Sequence, residues 1–321
     1  MSAVGAAGRG DGVEMTGLRA RSVEVIAPSG AHLSLDEFDR AWVWFERQGV
    51  RLSTSVPREG WQRFSAPDDD RLAAIHRAAR RTDIDAVMIT RGGYGLSRLI
   101  DRIDWDLVAV SAARGCRWIG YSDFTVFHLA LLARTGAISW AGPSFSADFG
   151  ALGAPDAYTL AQFETVLGEG RTPHIEWQPS DPVAPDLDVE GVLWGGNLSM
   201  LCSVAGSAWC PVIQDGLLFI EDVNEHPYRI ERMLHQLDAL GVLRGQAALI
   251  IGDCSGARIV DHDNGYDLNE VVRYWRRRID VPIITGLPFG HIRAKAMLGV
   301  GLRYRLRTAE GSSSLVPAAP A

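Results

Sequence analysis

The stretch Cys116-Arg-Trp-Ile-Gly-Tyr-Ser-Asp-Phe124, with the apolar run that follows it, decides the fold. Residues 116–120 form a short apolar run that reads as a buried strand, and residues 125–134 read as a helix. Between them lies a sharp turn carrying Ser122. The same alternation extends toward the N-terminus. Residues 22–27 read as a strand stopped by Pro28-Ser-Gly30. Residues 35–48 follow as a helix with Phe38, Ala41, Trp42 and Phe45 at helical spacing, ended by Gly49. A strand at 50–55, a helix at 68–82, a strand at 86–90 and a helix at 107–113 complete the pattern. Strands alternating with helices of this length predict a parallel sheet covered on both faces, so residues 21–145 read as an α/β domain.

Beyond Pro143 the composition changes. Residues 146–188 include a proline-rich, apolar-poor stretch and read as a linker. Residues 189–308 read as a smaller, β-rich domain, with strands at 189–194, 216–220, 247–251, 283–286 and 296–302 and an amphipathic helix at 227–240. Residues 1–20 read as a disordered leader without the apolar core of a secretory signal, which predicts a cytoplasmic protein. Residues 309–321 read as a loose tail.

The 321 residues are 47% hydrophobic and 22% charged, which excludes wholesale disorder. The 32 Lys+Arg against 39 Asp+Glu leave a formal charge of −7, which argues against a nucleic-acid partner. No apolar run approaches the ~20 residues that span a bilayer, so no membrane partner is expected. Cys116, Cys202, Cys210 and Cys254 lack the spacing of a zinc or redox site and read as small buried hydrophobes.

Two glycine-marked loops follow strands in the first domain. In Thr90-Arg-Gly-Gly-Tyr-Gly95, glycines beyond a strand's carboxyl end let backbone N–H groups approach a ligand, although a tight turn explains them equally. In Ile119-Gly-Tyr-Ser-Asp-Phe124, strand, turn and helix match a nucleophile elbow that lifts Ser122 above the sheet and aims the Asp123 N–H at an oxyanion. Phe124 replaces the second glycine of that pattern, and Ser122 or Asp123 as a simple helix cap is the competing reading. A serine nucleophile needs a base and an orienting acid. Of the eight histidines, His291 sits in a Gly/Pro-flanked loop after an apolar strand, whereas His76, His128 and His235 fall on helices and read as structural or exposed. Glu221 emerges at the tip of a buried strand, where a carboxylate is costly unless paired. Its neighbours Asp222, Glu225 and His226 raise a metal site as an alternative, at a spacing that fits no standard motif.

Taken together, Arg91-Gly-Gly-Tyr-Gly95, Gly120-Tyr-Ser-Asp-Phe-Thr125, Leu193-Trp-Gly-Gly-Asn-Leu198, Glu221-Asp-Val-Asn-Glu-His226 with the helix start after it, and Gly286-Leu-Pro-Phe-Gly-His291 resemble the LD-carboxypeptidase family, in family order and across nearly the whole chain. The resemblance implies a flavodoxin- or Rossmann-like N-terminal domain and a β-rich C-terminal domain. It implies Ser122 as nucleophile, His291 as base and Glu221 as orienting acid, with an oxyanion hole from backbone N–H groups of Gly93 and Asp123. Substrate contacts are expected from Arg91, Gly92, Tyr94, Trp194 and Asn197. The implied reaction removes the terminal D-alanine from a murein tetrapeptide in cell-wall recycling, with no metal or organic cofactor and a homodimeric assembly. Within the same superfamily, hydrolysis of a peptide-nucleotide antibiotic is the alternative activity, and a non-catalytic peptide- or nucleotide-binding module is the alternative outside it.

Overall fold

In the computed structural model, residues 15–181 and 186–318 are described. The chain opens with β1 (Ser22–Ile26), α1 (Leu35–Arg47), β2 (Arg51–Thr54), α2 (Asp68–Arg80), β3 (Ala86–Ile89), α3 (Trp105–Ala113), β4 (Arg117–Gly120), α4 (Thr125–Thr135) and β5 (Ser139–Ala141). Local signals account for these boundaries. The Ser34 hydroxyl accepts the Glu37 N–H to start α1, whose Phe38, Ala41 and Phe45 are buried at helical spacing. Asp104 caps α3 in the same way through the Leu107 N–H. β1 to β5 pair in parallel in the order β2-β1-β3-β4-β5, the flavodoxin-like arrangement, which places ligands at the carboxyl ends of β1 and β3 where the order reverses.

The region read as a linker is structured. It carries α5 (Phe145–Phe149), α6 (Ala157–Phe163) running into a π-helical turn at Glu164–Gly168, and β6 (Ile175–Trp177). Phe145, Phe149, Phe163 and Leu167 are buried against α1 and the first sheet, so apolar packing overrides the Gly/Pro signals there. The end of the predicted leader is ordered too. Met15 and Leu18 are buried, and the Gly17 N–H donates to Glu164 Oε1 at 2.9 Å; residues 1–14 lie outside the described residues.

The second half adds β7 (Leu187–Asn197), α7 (Leu198–Val204), β8 (Gly216–Glu221), α8 (Pro227–Ala239), β9 (Gln246–Ile251), α9 (Leu268–Arg276) and β10 (Ile283–Thr285). The chain closes with β11 (Leu298–Val300), β12 (Arg303–Ala309) and β13 (Ser312–Pro317). Seven strands form the second sheet in the order β10-β9-β8-β7-β12-β13-β6, parallel from β10 to β7 and antiparallel from β7 to β6. β11 departs from expectation: it pairs antiparallel with β5, at the edge of the first sheet. The segment between β10 and β11 therefore starts in one sheet and ends in the other. A single buried cluster also joins the halves, running from Ile75, Trp118 and Phe127 to Leu218 and Leu249, with α4 packed on α7.

Within the expected tail, Ser312–Pro317 form β13, and residues 319–321 lie outside the described residues. Its Ser-rich sequence hides a two-residue alternation that buries Ser313 and Leu315 while their neighbours face outward. Leu315→Ala should cost about 2–5 kcal/mol of stability in urea denaturation, as for any fully buried leucine, whereas a loose tail would show almost no change.

Candidate active site

The carboxyl ends of both sheets converge on one cleft. Ser122 follows β4, Glu221 is the last residue of β8, and His291 lies on the segment that crosses from β10 to β11. Ser122 sits at φ +62°, a left-handed backbone that a non-glycine residue adopts at a cost of roughly 1–3 kcal/mol. That conformation turns the hydroxyl out of the sheet just before α4. Ser122 is thus an elbow and makes no side-chain cap to the helix. Its Oγ lies 3.1 Å from His291 Nε2, and His291 Nδ1 lies 2.8 Å from Glu221 Oε2. The Glu221 carboxylate is fully buried, and its second oxygen has no hydrogen-bond partner. A buried carboxylate with one partner fixes the ring tautomer and orientation.

The two glycine loops meet over this serine. A Cβ on Gly92 would stand 2.7 Å from Ser122 Cβ and 2.8 Å from its Oγ, so glycine is required there by close approach. Gly93 has φ +86°. Burial pushes the Asp123 carboxyl up; hydrogen bonding from the Gly93 N–H, the charge of Arg91, its own N–H and His291 pull it back. The half-buried Arg91 guanidinium folds over Gly30 and Gly93 and donates to the Ala31 carbonyl at 3.3 Å. Tyr94 is exposed, with its ring beside Phe64 and under the Arg63 guanidinium.

Two of the residues expected to touch substrate face elsewhere. Trp194 is buried in the core, its indole N–H donates to Gln246 Oε1 at 2.8 Å, and it lines a cavity with Cys210, Ile213 and Leu240 that does not include Ser122. Asn197 is also buried: its Oδ1 accepts the Met200 N–H at the start of α7, and its Nδ2 donates to Asp222 at 3.1 Å. The Trp-Gly-Gly-Asn block serves packing instead. A Cβ on Gly195 would lie 1.9 Å from the Phe219 carbonyl, and one on Gly196 2.4 Å from Thr125 Oγ1. The acidic run after β8 is dispersed as well. Asp222 accepts from Asn197 and Ser199, Glu225 pairs with Arg229, and His226 pairs with Asp263. Among the described residues no three His, Cys, Asp or Glu side chains are grouped to hold a metal ion.

Tyr121, which the sequence reading passed over, and His128, which it read as structural or exposed, support the turn at Ser122. Tyr121 packs its ring 5.0 Å from that of His291. His128 is fully buried beneath the turn, where Nε2 donates to the Gly120 carbonyl at 2.9 Å and Nδ1 accepts from the Ser139 hydroxyl at 2.8 Å. Burial pulls its pKa down to about 4, against a weaker opposing pull from the Gly120 carbonyl. A buried histidine beside a strand end gives no periodic signal, which is why position alone could not separate this role from an exposed one.

Gly92→Ala should slow fluorophosphonate labelling of Ser122 about a hundredfold or more with the circular dichroism spectrum unchanged, because the new methyl displaces the Ser122 hydroxyl. For His128 the unfolded chain takes a proton near its ordinary pKa of 6.5 while the folded chain stays neutral to about 4. The contribution is complete above pH 6.5 and drains away as pH falls through that window, about 3 kcal/mol in all. Urea midpoints of wild type against His128→Asn should show that slope in wild type only.

Two family models match the chain: the LD-carboxypeptidase N-terminal domain over residues 23–142 and the LD-carboxypeptidase C-terminal domain over residues 190–306. The probable murein peptide carboxypeptidase of Bacillus subtilis is 31% identical over 291 residues, covering 90% of this chain and 89% of that protein. The crystal structure of muramoyltetrapeptide carboxypeptidase from Oxalobacter formigenes superposes with a TM-score of 0.84 at 40% identity, covering 94% of this chain and all of that one. The microcin C7 self-immunity protein MccF of Escherichia coli is 26% identical, with 84% of this chain and 85% of that protein covered. With both halves matched, in order, around a serine-type site, the chain belongs to the LD-carboxypeptidase family and is a hydrolase.

Proposed function

We propose that this hydrolase removes the terminal D-alanine from murein tetrapeptide, cutting the L-to-D bond after meso-diaminopimelate, and that Ser122, His291 and Glu221 are its catalytic triad. The observation that carries the reading is the continuous hydrogen-bonded path from Ser122 Oγ through His291 to Glu221, at 3.1 and 2.8 Å. His291 Nε2 takes the hydroxyl proton as Ser122 attacks the diaminopimelate carbonyl, and Glu221 stabilises the imidazolium that results. The negative charge on the carbonyl oxygen falls to the N–H groups of Gly93 and Asp123 in the turns beside Ser122. His291 then returns the proton to the departing D-alanine amine, and water releases the acyl-enzyme by the same steps in reverse. A carboxypeptidase must also hold a free carboxylate. Arg91 supports that role, since its guanidinium lies against Gly93, one residue from the glycine that faces Ser122.

Incubation with L-Ala-γ-D-Glu-meso-diaminopimelate-D-Ala, read by mass spectrometry, should release D-alanine from wild type and none from Ser122→Ala. Glu221→Ala should be slowed by several orders of magnitude, but less than Ser122→Ala, because the carboxylate orients and does not attack. The rate should fall on acidification, as a protonated imidazole cannot accept the serine proton. Labelling of Ser122 by a fluorophosphonate without D-alanine release would keep the hydrolase and move the substrate to a peptide-nucleotide of the kind met by immunity proteins. Neither labelling nor release would overturn the triad.

A further inference from the structure

Thirty-one of the 32 basic side chains are arginine, and Lys295 is the only lysine in the sequence. It is 1% exposed and lies four residues after His291. Its Nζ makes three directed contacts. It lies 2.9 Å from Asp148 Oδ1, donates to the Ile292 carbonyl at 2.6 Å, and sits 4.3 Å from the centre of the Tyr121 ring. Two of these contacts lead back to the reacting groups. Ile292 is the residue next to His291. Tyr121 is the residue before Ser122, and its ring rests against the His291 imidazole. Asp148 ties in the neighbouring segment, because its Oδ2 accepts the N–H and the hydroxyl of Ser144 at 2.7 and 3.1 Å. Thr159 pins the same loop by accepting the Lys295 N–H at 2.8 Å and donating to the Arg293 carbonyl at 2.7 Å.

We propose that Lys295, paired with Asp148, is a positioning residue whose ammonium holds the His291 loop against the Ser122 elbow in the geometry that proton transfer requires; the inference rests on the triad assigned above. An ammonium suits the site where an arginine does not. It is compact and directs donors tetrahedrally toward a carboxylate, a carbonyl and an aromatic face, whereas a guanidinium is planar and larger. The desolvation of a buried ion pair is rarely recovered as net stability, so retention of this pair in a chain otherwise built with arginine points to a geometric role. Ser122 comes from the first sheet and His291 from the crossing segment. Lys295 bridges the two, and a shift of about 1 Å in their 3.1 Å contact costs on the order of a hundredfold in rate.

The test is the inactivation of Ser122 by a fluorophosphonate, resolved into the maximal rate kinact and the half-saturating concentration KI, which needs no peptide substrate. Lys295→Met and the charge-free double variant Lys295→Met/Asp148→Asn should both lose about ten- to a hundredfold in kinact with KI within twofold of wild type. The double variant leaves no unpaired buried charge and should melt near the wild-type temperature. A folded double variant with kinact within threefold of wild type would overturn the proposal, since a merely structural pair is dispensable once its charges are removed together. Should neither variant fold, Ser144→Ala removes one hydroxyl bonded to Asp148; an unchanged kinact there overturns the proposal and a loss of threefold or more supports it. A wild type that the reagent does not label at all would instead sink the triad reading itself.

Discussion

A serine held at φ +62° springs back to an ordinary backbone unless its surroundings forbid it, and most of the site can be understood as that prohibition. Gly120 admits the turn because a Cβ there would meet both Ile89 and Phe124 at 2.7 Å. Phe124 then stacks on Phe127 at 4.5 Å and locks the first turn of α4 beneath the elbow. His128 holds the Gly120 carbonyl from below, and Gly92 carries no side chain to collide with Ser122 above. The Ser122 hydroxyl is placed by its packed neighbours.

The second requirement is that groups from two sheets agree to within a few tenths of an ångström. The crossing segment meets it by being anchored at both ends, through β10 in the second sheet and β11 in the first. The connection between the halves contributes as well. Asp148, Thr159 and Gln162 all bond to the segment that carries His291, so the stretch that looked like a tether works as a brace. Ser122 comes from the first half and Glu221 from the second, and the large shared core makes independent motion of the halves costly.

Much of this was legible in the sequence. Alternating strands and helices marked the first sheet, and the turn at Ser122 could be seen as an elbow, though a helix cap competed until the left-handed backbone was known. Glu221 at the tip of an apolar strand was conspicuous because burying a lone carboxylate is unfavourable. What could not be read was long-range. Trp194 beside two glycines looked like a pocket wall, but those glycines let β7 approach Phe219 and Thr125, and the ring turns into the core. The Ser-rich end looked loose because half of a two-residue alternation was serine, although Leu315 and Ser313 face inward. β11 was visible as a strand, yet no local pattern says which sheet a strand will join.

Having all but one of its basic groups as arginine gives the molecule an unusual spectroscopic property. Lysine labelled with nitrogen-15 at Nζ alone would introduce a single side-chain resonance into a chain of 321 residues, with no assignment problem to solve. That resonance would come from between the Ser122 turn and the His291 loop, bounded by a tyrosine ring whose shielding varies steeply with distance. The protein therefore carries its own reporter where its two sheets meet. Ligand entry and strain between the sheets could each be followed there at one nucleus, without adding a foreign label.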